Sequence, residues 1–262
     1  MPTPALRTRA RAKLRRQIKH AELEARARLT GGELVVDYGW GKLPYTGDGD
    51  VQEVLYHLNQ ARWHEKDENI FRSLLAPGQT AIDVGANSGF VTVILASIVG
   101  PGGRVLSFEP SPRVYAKLRR TVDVNELAQV TTVNMGCGAT SSVAQLRQVN
   151  SSTGNGSIVA AGTDPIEIRI ETLDSFAEVW EAPVALVKID TEGYEPEVLR
   201  GATRLIDEQR PVLYLEMGGD YVESTRESIA ILADAGYGVA HVRSIDWTRV
   251  GGGSDYFFLP RR

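Results

Sequence analysis

A doubly wound α/β fold on a mostly parallel sheet is what the sequence predicts, and three observations carry it. From Gln79 onward, apolar runs of strand length alternate with helical stretches. Most of these runs are near-continuously apolar rather than alternating, as strands are when helices cover both faces of a sheet. The first of them ends in a glycine turn, AIDVGANSGF at residues 81–90, and an apolar stretch, VTVILASIV, resumes at once. With 262 residues, 42% of them hydrophobic and 24% charged, the chain can bury one sizeable core without staples.

In chain order, residues 1–28 hold nine of the 29 Lys and Arg against Glu22 and Glu24. Leu14, Ile18, Ala21 and Ala25 fall at helical spacing, so this arm reads as a basic helix that packs on the body or on a second subunit, as in a homodimer, with contact to a membrane surface or an anionic partner as the alternative. ELVVDYGWGKLPYTGDGD reads as a short hairpin broken by Gly39, Gly41 and Gly47. Residues 1–50 are therefore an extension, and 51–262 are the main domain. Asp50 is a plausible N-cap for a helix over VQEVLYHLNQARW, and a second helical stretch, EKDENIFRSLL, stops at Pro77-Gly78. The strand and helix pairs follow: TAIDV and VTVILASIVG; RVLSFE and RVYAKLRRTVDVN; QVTTVNM; ALVKID and EPEVLRGATRLIDE; PVLYLEM and TRESIAILADAG. Between QVTTVNM and ALVKID, the alternating stretches SSVAQLRQV and IEIRIETL read as an inserted antiparallel hairpin around a surface loop, NSSTGNGS. SDYFFLP is the final strand.

Net charge is −4, so behind the basic arm the body is acidic, which argues against nucleic acid as its main partner. The longest apolar stretches stop well short of the roughly 20 residues of a membrane-spanning helix. One cysteine, Cys137, excludes an intramolecular disulfide and suits a reducing compartment, so a cytoplasmic location is expected.

In an open parallel sheet, ligands bind beyond the carboxyl ends of the strands, which makes the turn after TAIDV the natural cofactor site. Gly85 and Gly89 let the backbone turn tightly and approach a ligand, and the first amides of the next helix are free to donate. A dinucleotide fold wants G-x-G-x-x-G, whereas this turn reads Gly85-Ala86-Asn87-Ser88-Gly89 and lacks the middle glycine. Asp83 before the turn is a poor neighbour for a pyrophosphate but a good one for an ammonium group. Glu109, closing RVLSFE, can accept hydrogen bonds from both hydroxyls of a ribose. S-adenosylmethionine carries the carboxylate, the ammonium and the ribose that these positions call for. An NAD(P)-dependent oxidoreductase is the alternative enzyme on such a sheet, and a non-catalytic binding protein is the third class.

DVGANSGF, FEPSP, TLDSF and above all VKIDTEGYEPEVLRGA followed by RPVLYLE resemble the FkbM family of S-adenosylmethionine-dependent methyltransferases, over roughly residues 60 to 217. The resemblance implies a class I, Rossmann-like sheet of seven strands with the last antiparallel, S-adenosylmethionine as donor, and O-methylation of a small molecule such as a sugar or a polyketide-type metabolite. N- or carboxyl-methylation on the same fold is the alternative. Carried over by position, the cofactor residues are Asp83, Gly85, Asn87, Gly89 and Glu109, with Ala86 and Pro110 inside the same motifs and with Gly136 and Cys137, at the end of the third strand, near the adenine. Glu65 is a further candidate for the donor's ammonium group.

Methyl transfer chiefly requires alignment of donor and acceptor, and a hydroxyl acceptor must also lose its proton. Asp190 ends ALVKID beside the expected methyl group, with Lys188 two residues earlier on the same strand face and Glu192 in the turn that follows. Glu192 has a competing reading as a cap for the helix near Glu195. Glu216 ends the neighbouring strand, but Asp190 and Glu216 alone are too few oxygen ligands to predict Mg²⁺. His57 and His64, in the helical region ahead of the glycine turn, are alternative bases. Trp40, Tyr45, Tyr56 and Trp63 offer an aromatic wall for an acceptor, or part of the core. Cys137 has no histidine near it in sequence and is not expected to act as a nucleophile.

Overall fold

The computed structural model describes residues 33–37, 41–46, 68–148, 156–157, 165–180, 183–217, 221–240 and 254–261. The basic arm, His57, His64, Glu65, Trp40, Tyr56 and Trp63 lie outside these residues, as does most of NSSTGNGS. The expected hairpin is present as β1 (Glu33–Asp37) and β2 (Lys42–Thr46). Residues 68–74 are helical, and the α/β alternation follows as β3 (Thr80–Val84), α1 (Phe90–Val99), β4 (Arg104–Phe108), α2 (Pro112–Val124) and β5 (Val130–Val133). It resumes with β10 (Val184–Ile189), α3 (Glu195–Arg200), α4 (Thr203–Gln209), β11 (Val212–Met217), α5 (Val222–Asp234), β12 (Tyr237–Ala240) and β13 (Ser254–Pro260).

One sheet of seven strands, in the order β12-β13-β11-β10-β3-β4-β5, is the centre of the molecule. The pairs from β5 through β11 are parallel, and β13 runs antiparallel to both its neighbours. Because side chains alternate across a strand, each strand feeds two cores. Ile82, Leu106, Val187 and Leu213 join Leu199, Leu205 and Leu232 on one face. Ala81, Val105, Leu186 and Tyr214 meet Phe71, Ile94 and Leu95 on the other. That second face turns polar toward the carboxyl edge, where Asp83 stands in register with Lys188 on one side and Ser107 on the other.

Between β5 and β10 the chain builds a second, smaller sheet from β6 (Gly136–Cys137), β7 (Ser142–Gln148), β8 (Gly156–Ser157) and β9 (Ile166–Glu171). Its β7–β9 pair is the antiparallel hairpin read from the sequence. Gly136 and Cys137, expected at the end of the third strand, instead belong to this insert, pairing parallel with Ile170 and Glu171. The cause is a bend after Val133, where the Asn134 amide donates to the Glu109 carbonyl at 2.8 Å and the Pro110 carbonyl at 3.1 Å. EPEVLRGATRLIDE is likewise two helices rather than one. At Gly201 the backbone passes so near the insert that a Cβ would sit 1.9 Å from the Gly138 carbonyl oxygen.

The hairpin does not hang free of the body. The Asn125 side chain, at the C-cap of α2, accepts from the Lys42 amide at 2.8 Å and donates to the Lys42 carbonyl at 2.6 Å, standing in for a neighbouring strand. Arg120 grips Glu33 with both guanidinium arms, at 2.6 and 2.9 Å. Tyr45, offered as an aromatic wall for an acceptor, is buried.

Candidate active site

The site lies where β3, β4 and β10 end side by side. Gly85, Asn87 and Gly89 all take positive φ, at 75°, 50° and 93°, so the chain reverses within a few residues and starts α1 immediately. Gly85 is required on two counts: its left-handed backbone disfavours a side chain, and a Cβ there would stand 1.8 Å from the Asp190 carbonyl oxygen. The turn after β3 and the turn after β10 thus touch backbone to backbone. The Gly85 and Ala86 amides both donate to the Phe108 carbonyl, at 3.0 and 2.9 Å, which joins the turn to β4 as well.

Glu109 follows directly. Its carboxylate accepts from the Asn87 amide at 3.1 Å and the Ser111 amide at 2.9 Å, each oxygen taking one bond and keeping lone pairs for a ligand. Burial raises its pKa to about 7 against the opposing pull of the two amides, those of Ser111 and Asn87. The Pro110 carbonyl is held by Asn134, and Gly136 packs so closely on Ile170 that a Cβ would meet its Cδ1 at 2.6 Å. Cys137 is buried and burial pushes its thiol pKa up, so it is an inert wall.

Asp83 is fully buried. One carboxylate oxygen accepts from the Thr92 hydroxyl at 2.6 Å, which in turn lies 3.0 Å from the Ser107 hydroxyl; the other pairs with Lys188 Nζ at 3.2 Å. Lys188 donates to the Gly85 carbonyl at 2.7 Å and reaches Asp190 at 3.5 Å. Burial alone would lower its pKa, but Asp83 and Asp190 outweigh burial and raise it, so Lys188 stays an ammonium and serves as the cation that joins the two turns. Asp190 differs from its neighbours in reach: its side chain is 31% exposed while those of Asp83 and Lys188 are closed off.

In the turn beyond, Glu192 is half-buried, and burial with the nearby Asp190 raises its pKa. The helix cap that the sequence allowed for Glu192 is not made, since no side chain caps α3 at its N-cap Tyr194; Glu195 instead ties the preceding turn, its Oε1 accepting from the Thr191 amide at 2.9 Å, the Thr191 hydroxyl at 3.0 Å and the Gly193 amide at 3.2 Å. Glu195, Thr92, Ser107 and Tyr221 escaped the sequence reading. Only Glu195 left a signal, a carboxylate in the first turn of a helix behind a glycine. Glu216 is exposed at the end of β11, within the electrostatic reach of Lys188. Among the described residues no group of three or more His, Cys, Asp or Glu side chains is placed to hold a metal ion.

A strand order with one reversed strand at β13, a tight glycine turn after β3 and a carboxylate held at the end of β4 define a class I methyltransferase dependent on S-adenosyl-L-methionine. The donor set fits that cofactor: each Glu109 carboxylate oxygen takes one backbone amide and keeps lone pairs for ribose hydroxyls. A model of the methyltransferase FkbM domain matches residues 83–239, more than half of the chain, and the chain belongs to this family. That membership removes the oxidoreductase alternative. Over 63 residues it is 36% identical to a protein-L-isoaspartate O-methyltransferase of Aeropyrum pernix, covering 24% of each chain. Over 56 residues it is 36% identical to an arsenite methyltransferase of Halobacterium salinarum, covering 21% of this chain and 14% of that one. The matches thus span about a quarter or less of these curated relatives. A structure from Clostridium thermocellum, described as a presumptive rRNA methylase, shares the fold with a TM-score of 0.53 at 15% identity, over 74% of this chain and 93% of that one. The FkbM methyltransferase of Methylobacillus flagellatus aligns with a TM-score of 0.47 at 19% identity, over 81% and 55%. No helix among the described residues is long and apolar enough to cross a membrane.

Proposed function

We propose that this methyltransferase acts on a hydroxyl group of a small molecule, with Asp190 as the base that takes the proton. The observation that carries the reading is the contrast along one edge: Asp83 and Lys188 are sealed, while the Asp190 carboxylate keeps an accessible side beside the donor turn. S-adenosylmethionine supplies an activated methyl carbon, so the chain has only to hold, align and deprotonate. Gly85, Ala86, Asn87 and Gly89 would admit the donor, Glu109 would hold its ribose, and Asp83, held by Lys188 and Thr92, would supply negative charge behind its ammonium group. When the acceptor oxygen takes the methyl carbon, the C–S bond would break with its electron pair left on the sulfur of S-adenosylhomocysteine, and the acceptor's O–H proton would pass to Asp190, whose carboxylate Lys188 balances until then. Lys188 is a positioning residue in this reading. Glu192 is a second carboxylate on the acceptor side.

The acidic body favours a small acceptor over a polyanion. A relative in fold is nevertheless described as a presumptive rRNA methylase, so RNA belongs in the test. Labelled methyl donor is supplied with hydroxylated metabolites and glycosides, with amines, with carboxylic acids and with total RNA. A methyl group stable to mild base on a small hydroxylated product supports the reading; a base-labile ester, an N-methyl product or labelled RNA overturns it. Asp190→Asn should keep calorimetric binding of S-adenosylhomocysteine and lose at least about 100-fold in kcat. Near-parental turnover in that variant would move the base elsewhere.

A further inference from the structure

Glu192 and Gly193 are consecutive residues with left-handed backbone, φ 53° and 99°. A residue with a Cβ stays there only where its surroundings over-determine it, and such positions gather at functional sites. Here α5 helps to supply the constraint. The Ser224 hydroxyl donates to Glu195 Oε2 at 2.8 Å, fixing the buried carboxylate that organises the turn. The ring of Tyr221, just before α5, lies against Gly193, where a Cβ would stand 2.5 Å from the ring's Cδ1. The Tyr221 hydroxyl hydrogen-bonds the Glu192 carboxylate. Glu195 is used up within the turn. Glu192 lies within the electrostatic reach of Asp190.

We propose that Tyr221 is a positioning residue, whose ring shapes the turn at Gly193 and whose hydroxyl holds Glu192 beside Asp190, so that the acceptor meets two carboxylates rather than one. This rests on the reading of Asp190 as the acceptor-side base. The charged and titratable groups around Glu192 are Asp190 and Lys188 from β10 and its end, Glu195 from α3, and Tyr221 from the start of α5. Burial, Asp190 and Glu195 disfavour the ionised form of Glu192, whereas Tyr221 and Lys188 favour it.

The test is a carboxyl-detected NMR titration of the full chain with ¹³C-labelled glutamate and bound S-adenosylhomocysteine, the Glu192 resonance being the one lost in Glu192→Gln. Tyr221→Phe keeps the ring and removes the hydroxyl, so the Glu192 midpoint should rise by roughly half a pH unit, with S-adenosylhomocysteine affinity unchanged within about twofold. Should Tyr221→Phe fail to fold, 3-fluorotyrosine at position 221 strengthens the donor instead, and the midpoint should fall. A midpoint that moves in neither protein overturns the assignment, as does a Tyr221→Phe chain whose S-adenosylhomocysteine binding collapses with the titration. Full turnover by Asp190→Asn would sink the base reading without bearing on the difference in Glu192 midpoint between the parent and Tyr221→Phe, so the two failures are told apart.

Discussion

At the scale of single residues, the site separates groups that touch ligand from groups that hold those groups still. In the function proposed above, Glu109 is of the first kind. A carboxylate accepts more strongly from ribose hydroxyls than a carboxylic acid does, so donor binding should release a proton from it. With its pKa raised to about 7, S-adenosylhomocysteine affinity is expected to increase as pH climbs through that value and then level off. Glu109→Gln should flatten the profile and weaken binding more than tenfold, about 1.4 kcal/mol, as calorimetry across pH would show. Asp83, Gly85 and Glu109 stand out in the sequence because strand ends and glycines mark them. The division of labour among carboxylates does not. That Glu195 rather than Glu192 ties the turn depends on a hydroxyl from α5, and that Asp83 faces a lysine depends on the register of β3 against β10.

At the scale of elements, the sequence predicted type and order well because the strands are buried on both faces and leave long apolar runs. It failed where a tertiary contact interrupts a local pattern. EPEVLRGATRLIDE divides where Asp174 intervenes, its amide donating to the Gly201 carbonyl at 3.0 Å and its carboxylate accepting from the Arg204 and Leu205 amides, each at 2.9 Å. QVTTVNM ends early because the Asn134 side chain is spent on the loop after β4. The β1–β2 hairpin was legible as a hairpin, but its berth was not, since Asn125 and Arg120 lie more than 80 residues downstream. Asn125→Ala should cost about 1–3 kcal/mol in a urea titration, because it leaves both backbone groups of Lys42 without that partner. Faster hydrogen exchange at the Lys42 amide, with slow exchange kept in β3 and β4, is the accompanying signature.

At the scale of the whole molecule, function and stability pull against each other through Glu109. Its carboxyl titrates near 4.5 in the unfolded chain and near 7 in the folded one, so the folded state loses stability as pH rises through that interval. The loss amounts to roughly 3 kcal/mol and is complete above pH 7. In urea titrations without ligand, the stability of Glu109→Gln relative to the parent should therefore improve by about that much between pH 4.5 and 8. A gap that stays constant with pH would exclude Glu109 as the origin. The contact of Gly85 with the Asp190 carbonyl has a consequence for how such an enzyme can diversify. With the glycine turn after β3 and the turn after β10 wedged together and riveted by Lys188, neither can be redrawn alone. The accessory sheet between β5 and β10 supplies no strand to this junction and can change length while the junction is inherited whole.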